Sequence, residues 1–180
     1  MIKIKKTFLL FMLLFGLLGA QDYQKDLSLQ QKALMQKAYR YGVEFSLGYS
    51  MAAIMWQESF VGKQIVPFNV DDPGGGYWHK QLNYLLMEEK RPVNSLNRNM
   101  ALERLITNMD YAAAIAIRDL ENWINEFGAH GWLRVWAAYN GGYSNSLASQ
   151  QYAKEVSAKV NHLMKIKIFE TVEDSLIQKQ

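Results

Sequence analysis

All three prolines of the chain, Pro67, Pro73 and Pro92, fall between Val66 and Val93, and the run Gly74-Gly75-Gly76 falls there too. Proline lacks the backbone N–H and clashes with the preceding helical turn, so it breaks helix interiors; glycine weakens them through backbone entropy. Outside that window the chain carries no proline, and its apolar residues recur at helical spacing. Leu27, Leu34, Ala38 and Tyr41 share one face of a helix predicted over 23–45. Short helices are predicted over 50–60 and 81–90. Leu102, Leu105, Ile106 and Met109 mark another over 99–109. An alanine-rich helix follows over 110–127 and stops at Gly128. The next, over 131–139, stops at Asn140-Gly141-Gly142, and an amphipathic helix covers 150–164. Residues 62–78 read as irregular, with no alternating strand of convincing length and no internal repeat. The expected architecture is all-α with one long loop.

A chain of 180 residues, 49% hydrophobic and 21% charged, has the length and composition of one folded domain. It has no cysteine, which excludes disulfides, thiolate metal sites and a cysteine nucleophile. The net charge of +3 comes from Lys3, Lys5 and Lys6; without them 17 basic residues face 17 acidic ones. A neutral body lacks the electrostatic footprint that nucleic acid requires, so nucleic acid is not expected as a partner.

Those lysines open a three-part leader. The basic start Met1–Lys6 is followed by an apolar run to Leu18, then by the small residues Gly19 and Ala20 and the polar pair Gln21-Asp22. This is the plan of a secretory signal peptide, and the run is shorter than the roughly 20 residues of a comfortable span. Cleavage after Ala20 is expected, with an uncleaved anchor as the alternative. Either way the body lies outside the cytoplasm. The division that follows is 1–20 signal peptide, 21–165 domain and 166–180 charged, loose tail.

Glu58 is the residue that stands out. Met51, Ile54 and Met55 precede it by seven, four and three positions, which puts the carboxylate on the apolar face of its helix. Charged groups are seldom buried without a partner, and desolvation helps a carboxyl keep its proton toward neutrality. Such a group can protonate a leaving oxygen. The plainer reading is a solvated Glu near a helix end, with Gly62 soon after it.

Four segments then occur in the order of a known family. Ala53-Ile54-Met55-Trp56-Gln57-Glu58-Ser59 resembles the Glu-Ser motif of the lysozyme-like lytic transglycosylases, although Phe60 stands one place earlier than the family's Phe. Asn108-Met109-Asp110-Tyr111-Ala112 resembles its Asn-x-x-x-Gly/Ala helix start. Ala137-Ala138-Tyr139-Asn140-Gly141-Gly142 resembles its Ala-Tyr-Asn-x-Gly motif, and Tyr152-Ala153-Lys154-Glu155-Val156 its closing helix. Together they span about 34–163. One departure is clear: where the family carries Gly-Leu-Met-Gln, this chain has Gly76-Tyr77-Trp78-His79, so a histidine ring replaces the amide.

The resemblance implies a lysozyme-like helical domain of the goose-lysozyme type. It implies cleavage of the β-1,4 bond between N-acetylmuramic acid and N-acetylglucosamine in peptidoglycan. Glu58 would protonate the glycosidic oxygen and then, as carboxylate, take the proton of the sugar's C6 hydroxyl, which closes onto C1 as a 1,6-anhydro end. Substrate contacts would come from Ser59, Gly76, Tyr77, His79, Tyr139, Asn140, Gly141 and Tyr152. Each has a plainer alternative: Tyr139 on the stripe Trp132, Val135, Trp136 as a core aromatic, Asn140-Gly141 as a helix stop, Ser59 as a solvent-facing hydroxyl, Trp78 as a core plug. Asp71 and Asp72 read as turn residues beside Pro73-Gly74; if one reached the site, hydrolysis by water would replace ring closure. A binder that has lost catalysis is the rival from another class. His79, His130 and His162 lack metal-ligand spacing, and no metal or cofactor is expected. Peptidoglycan strands are the expected partner, in the periplasm, together with a secretion, pilus or flagellar machine of the envelope that such small transglycosylases serve.

Overall fold

The computed structural model of the chain describes residues 27–66, 74–166 and 168–169. The expected leader, Asp71 and Asp72, and the tail beyond Phe169 lie outside these residues. The described residues form an all-α body. In chain order it comprises α1 (Leu29–Val43), α2 (Gly48–Ser59), a two-residue hairpin of β1 (Gly74–Gly75) and β2 (Lys80–Gln81), α3 (Leu82–Glu88), α4 (Ser95–Thr107), α5 (Met109–Phe127), α6 (Trp132–Gly141) and α7 (Leu147–Ile166). No helix among the described residues is long and apolar enough to cross a membrane.

Local chemistry sets most boundaries. Ser28 and Gln31 cap α1 reciprocally, each side chain taking the other's backbone N–H at 3.2 Å. The turn into α2 is tight: Leu47 N donates to Gly42 O at 2.7 Å, and a Cβ on Gly42 would lie 2.7 Å from the Leu47 carbonyl carbon. Only glycine fits that approach. Asn108 closes α4, and its side chain accepts from Tyr111 N at 2.9 Å to start α5. Gly128 and Gly142 close α5 and α6 as expected.

α2 is the axis of the fold. Met51, Ala52, Ala53, Ile54 and Met55 are all fully buried, so this stretch is enclosed on every side and carries no single apolar stripe. It packs between α1 and α7 and touches α5. Two indoles fasten it: Trp78 Nε1 donates to Met51 O at 2.9 Å, and Trp136 Nε1 to Ser50 Oγ at 3.2 Å.

Two expectations need correction. The segment 62–78 supplies one strand of an antiparallel pair, Gly74 opposite Gln81 and Gly75 opposite Lys80, with the turn Gly76–His79 between them and the second strand just beyond it. A strand of two residues leaves no alternation in the sequence. The tail expected to be loose begins packed. Phe169 is 1% exposed, and its ring stacks on Tyr39 at 4.1 Å. Burying such a ring contributes roughly 1.5–3 kcal/mol. Gln36 Nε2 also donates to Ile168 O at 3.3 Å. The body therefore runs at least to Phe169, beyond the expected end at 165.

Candidate functional site

Glu58 stands in the last turn of α2, half-buried. Tyr152, near the start of α7 and 94 residues away in sequence, donates its hydroxyl to Glu58 Oε1 at 2.5 Å. Burial, then the Glu58 carboxylate, pushes the Tyr152 phenol well above its ordinary range, so it remains a proton donor. Tyr139 is close to the same charge. Its hydroxyl donates to Trp78 O at 3.0 Å, and its ionisation is pushed well up by burial first, then by Asp119 and Glu58. Of the expected site residues, Glu58 and Tyr152 therefore meet across α2 and α7, and Tyr139 of α6 lies within the field of the Glu58 carboxylate.

Further along the α2–α7 seam, Gln57 Nε2 donates to Glu155 Oε2 at 2.8 Å, and Gln57 Oε1 accepts from Lys159 Nζ at 2.5 Å. Gln151 Nε2 donates to the other oxygen of Glu155 at 3.0 Å. Burial lowers the Lys159 pKa, against the pull of Glu155 and Glu58. The seam flanks Glu58 with fixed polar groups, which suits a carboxylate held in one orientation.

The turn after Glu58 is strained. Phe60 and Val61 lie in the left-handed region at φ +48° and +58°. A β-branched residue there is an outlier, and such strain clusters at functional sites. Ser59 holds this turn. Its fully buried hydroxyl donates to Met55 O at 2.9 Å and accepts from Gly62 N at 3.0 Å. Ser59 is thus a structural residue with its hydroxyl committed to backbone, and the expected substrate contact is withdrawn.

Gly76 is corrected likewise. At φ +84° its Cα faces α4, and a Cβ would lie 2.9 Å from Leu105 Cβ. Its N–H donates to Ile65 O at 2.8 Å, so it serves the turn and not a ligand. Tyr77 is half-buried in contact range of Gly62, with its ring 6.1 Å from that of Trp78. Trp78 is 2% exposed and plugs the core, so it offers no face to a sugar.

His79, Tyr139, Asn140 and Gly141 do come together, along a groove of about 730 Å³. That is within the roughly 300–1,000 Å³ of ligand pockets. Opposite them stand residues that the sequence reading missed. Asp119 of α5 pairs with Lys80 at 2.8 Å, and Lys80 also reaches Glu88 at 3.1 Å. Arg118 joins both carboxylates. Trp123 and Tyr143 add aromatic faces to the groove. The signal for Asp119 was present: it follows Ala112 by seven positions and Ala116 by three, a carboxylate on an apolar face like Glu58.

No protein-family model and no solved structure matches the chain. Among curated proteins it is similar to the uncharacterized 20.7 kDa protein of the vs-regB intergenic region of Enterobacteria phage T4. The two are 31% identical over 185 residues, a match that takes in 90% of this chain and 98% of the phage protein.

Proposed function

We propose that this chain, which belongs to the family of that T4 protein, is a peptidoglycan lytic transglycosylase with Glu58 as its single acid and base. The observation that carries the reading is the bond from Tyr152 to Glu58. Two segments singled out separately in the sequence supply its two ends, and they meet at 2.5 Å across α2 and α7.

The chemistry follows from that pair. Glu58, protonated, gives its proton to the glycosidic oxygen as the bond to C1 breaks. The resulting carboxylate accepts from Tyr152, which offsets its charge while the sugar's C6 hydroxyl approaches. The carboxylate then takes the C6 proton, and the oxygen closes onto C1. Water takes no part. Tyr139 and Asn140 would hold the sugars along the groove. The lysozyme-like form of the helical body, export by the leader and work in the periplasm belong to the same proposal, as does service to a machine of the envelope.

The test is a Glu58→Gln variant, which keeps the shape and removes the proton donor. Loss of peptidoglycan clearing with an unchanged melting curve supports the assignment. Undiminished clearing overturns it.

A further inference from the structure

We infer that the groove beside Tyr139 binds a neutral N-acetylated saccharide, and that Trp123 and Tyr143 are the platform on which a sugar ring lies. The identity of the ligand rests on the glycan reading above; the site itself rests on what lines it.

The platform is built before any ligand arrives. The Trp123 ring stacks on Phe127 at 5.8 Å and 11°, and Tyr143 meets Trp123 edge-on at 5.2 Å and 82°. Arg134 clamps this cluster: its guanidinium lies 4.8 Å from the Phe127 centroid, and it donates to Tyr143 O at 3.1 Å and Asn145 Oδ1 at 2.9 Å. Tyr143 is nevertheless 69% exposed. An aromatic side chain held in place yet open to solvent offers contact area at small entropic cost. The C–H face of a pyranose ring matches such a surface.

The charges narrow the class. Lys80 is the lysine of the lining, and its ammonium is engaged by Asp119 and Glu88. The three lining carboxylates, Glu88, Asp119 and Glu126, outnumber the two cations that engage Glu88 and Asp119, namely Lys80 and Arg118. A compact anion such as phosphate would meet net repulsion there. Hydroxyls and acetamido groups instead find acceptors in Glu126 and both donors and acceptors in the amides of Asn122 and Asn140. Tyr139 lines the groove, while Glu58 and Tyr152 are not among its lining residues, so the groove is a site beside that pair and not around it.

The experiment is a calorimetric titration of the full chain with tetra-N-acetylchitotetraose. Saturable binding is expected, at least tenfold weaker in Trp123→Ala and Tyr143→Ala and unchanged in Leu133→Ala, an exposed residue of α6 away from the groove. Because Tyr143 is exposed, its removal leaves the core intact, and circular dichroism checks this for both variants. Equal affinity in the parent and both platform variants overturns the inference, as does no saturable binding. Binding of 1,5-diaminopentane in place of the tetrasaccharide also overturns it and gives the groove to a cation. Failure here is separable from failure of the enzyme reading. Platform-dependent binding without wall cleavage keeps this site and removes the catalytic assignment. Cleavage with platform-independent binding does the reverse.

Discussion

Replacing Tyr152 with Phe removes one oxygen and tests what the phenol does for Glu58. The hydroxyl donates at 2.5 Å to a carboxylate oxygen, and the ring itself is 8% exposed. A hydrogen bond to a charged group contributes roughly 1.5–3 kcal/mol. At about 1.4 kcal/mol per factor of ten, losing all of it from the step that ionises Glu58 would slow cleavage about 10- to 150-fold. Glu58 is only half-buried, so water can replace part of the donor, and the lower part of that range applies, about 10- to 30-fold. The loss should fall on kcat with KM little changed, because the bond serves the carboxylate and not the substrate. The pH profile should move to higher pH, since a donor that favours the ionised form is gone. The melting temperature should fall modestly, by the part of that bond which water does not replace, while the phenyl ring still fills its site. The assay is the initial rate of soluble muropeptide release at several pH values, beside a thermal melt. A variant with wild-type kcat and an unmoved profile would refute this role for Tyr152.

Three further outcomes are expected. Gly76→Ala places a Cβ 2.9 Å from Leu105 Cβ at φ +84°; overpacking costs about 1–3 kcal/mol, read as a lower denaturant midpoint. Ser59→Ala removes two hydrogen bonds at a buried turn, with a loss of about 1–3 kcal/mol in the melt and no change in glycan affinity. Stability should also fall in alkali. Burial holds Tyr139 and Tyr152 well above the usual phenol range, and burial with the bond to Glu89 takes Tyr111 to about 12. Unfolded, these phenols ionise near about 10, so their contribution is complete below that pH and is lost as pH rises through the folded values. Lys159, lowered by burial, works in the opposite sense. A melting temperature that is flat from neutrality to strong alkali would contradict this, and Tyr152→Phe should shallow the fall.

The helices were legible because their periods and stops are local. Gly128 and Gly142 end the helices that the sequence ends there, and Asn108 starts α5 where the Asn-x-x-x-Ala pattern sets it. Glu58 was legible because a carboxylate three and four positions from apolar residues is unusual. Its partner Tyr152 could be named from the sequence, but not the bond, which depends on α2 and α7 crossing. Ser59 misled because adjacency to Glu58 says nothing about direction: its hydroxyl turns back to Met55 O. Gly76 misled in the same way, since a loop motif does not state which side faces the core. The hairpin was invisible because two residues a side leave no alternation. Asp119 could have been found by the very criterion that picked out Glu58. Trp123 could not, because its role depends on Arg134, from the first turn of α6, and Tyr143, from the loop behind that helix.

The most direct measurement is mass spectrometry of the muropeptides released when the full chain digests purified peptidoglycan, run beside Glu58→Gln. Cleavage by a single carboxylate predicts products one water lighter than those of hydrolysis, ending in 1,6-anhydro sugar, and none from Glu58→Gln. Reducing-end products would contradict ring closure, and anhydro products from the Gln variant would contradict the role of Glu58.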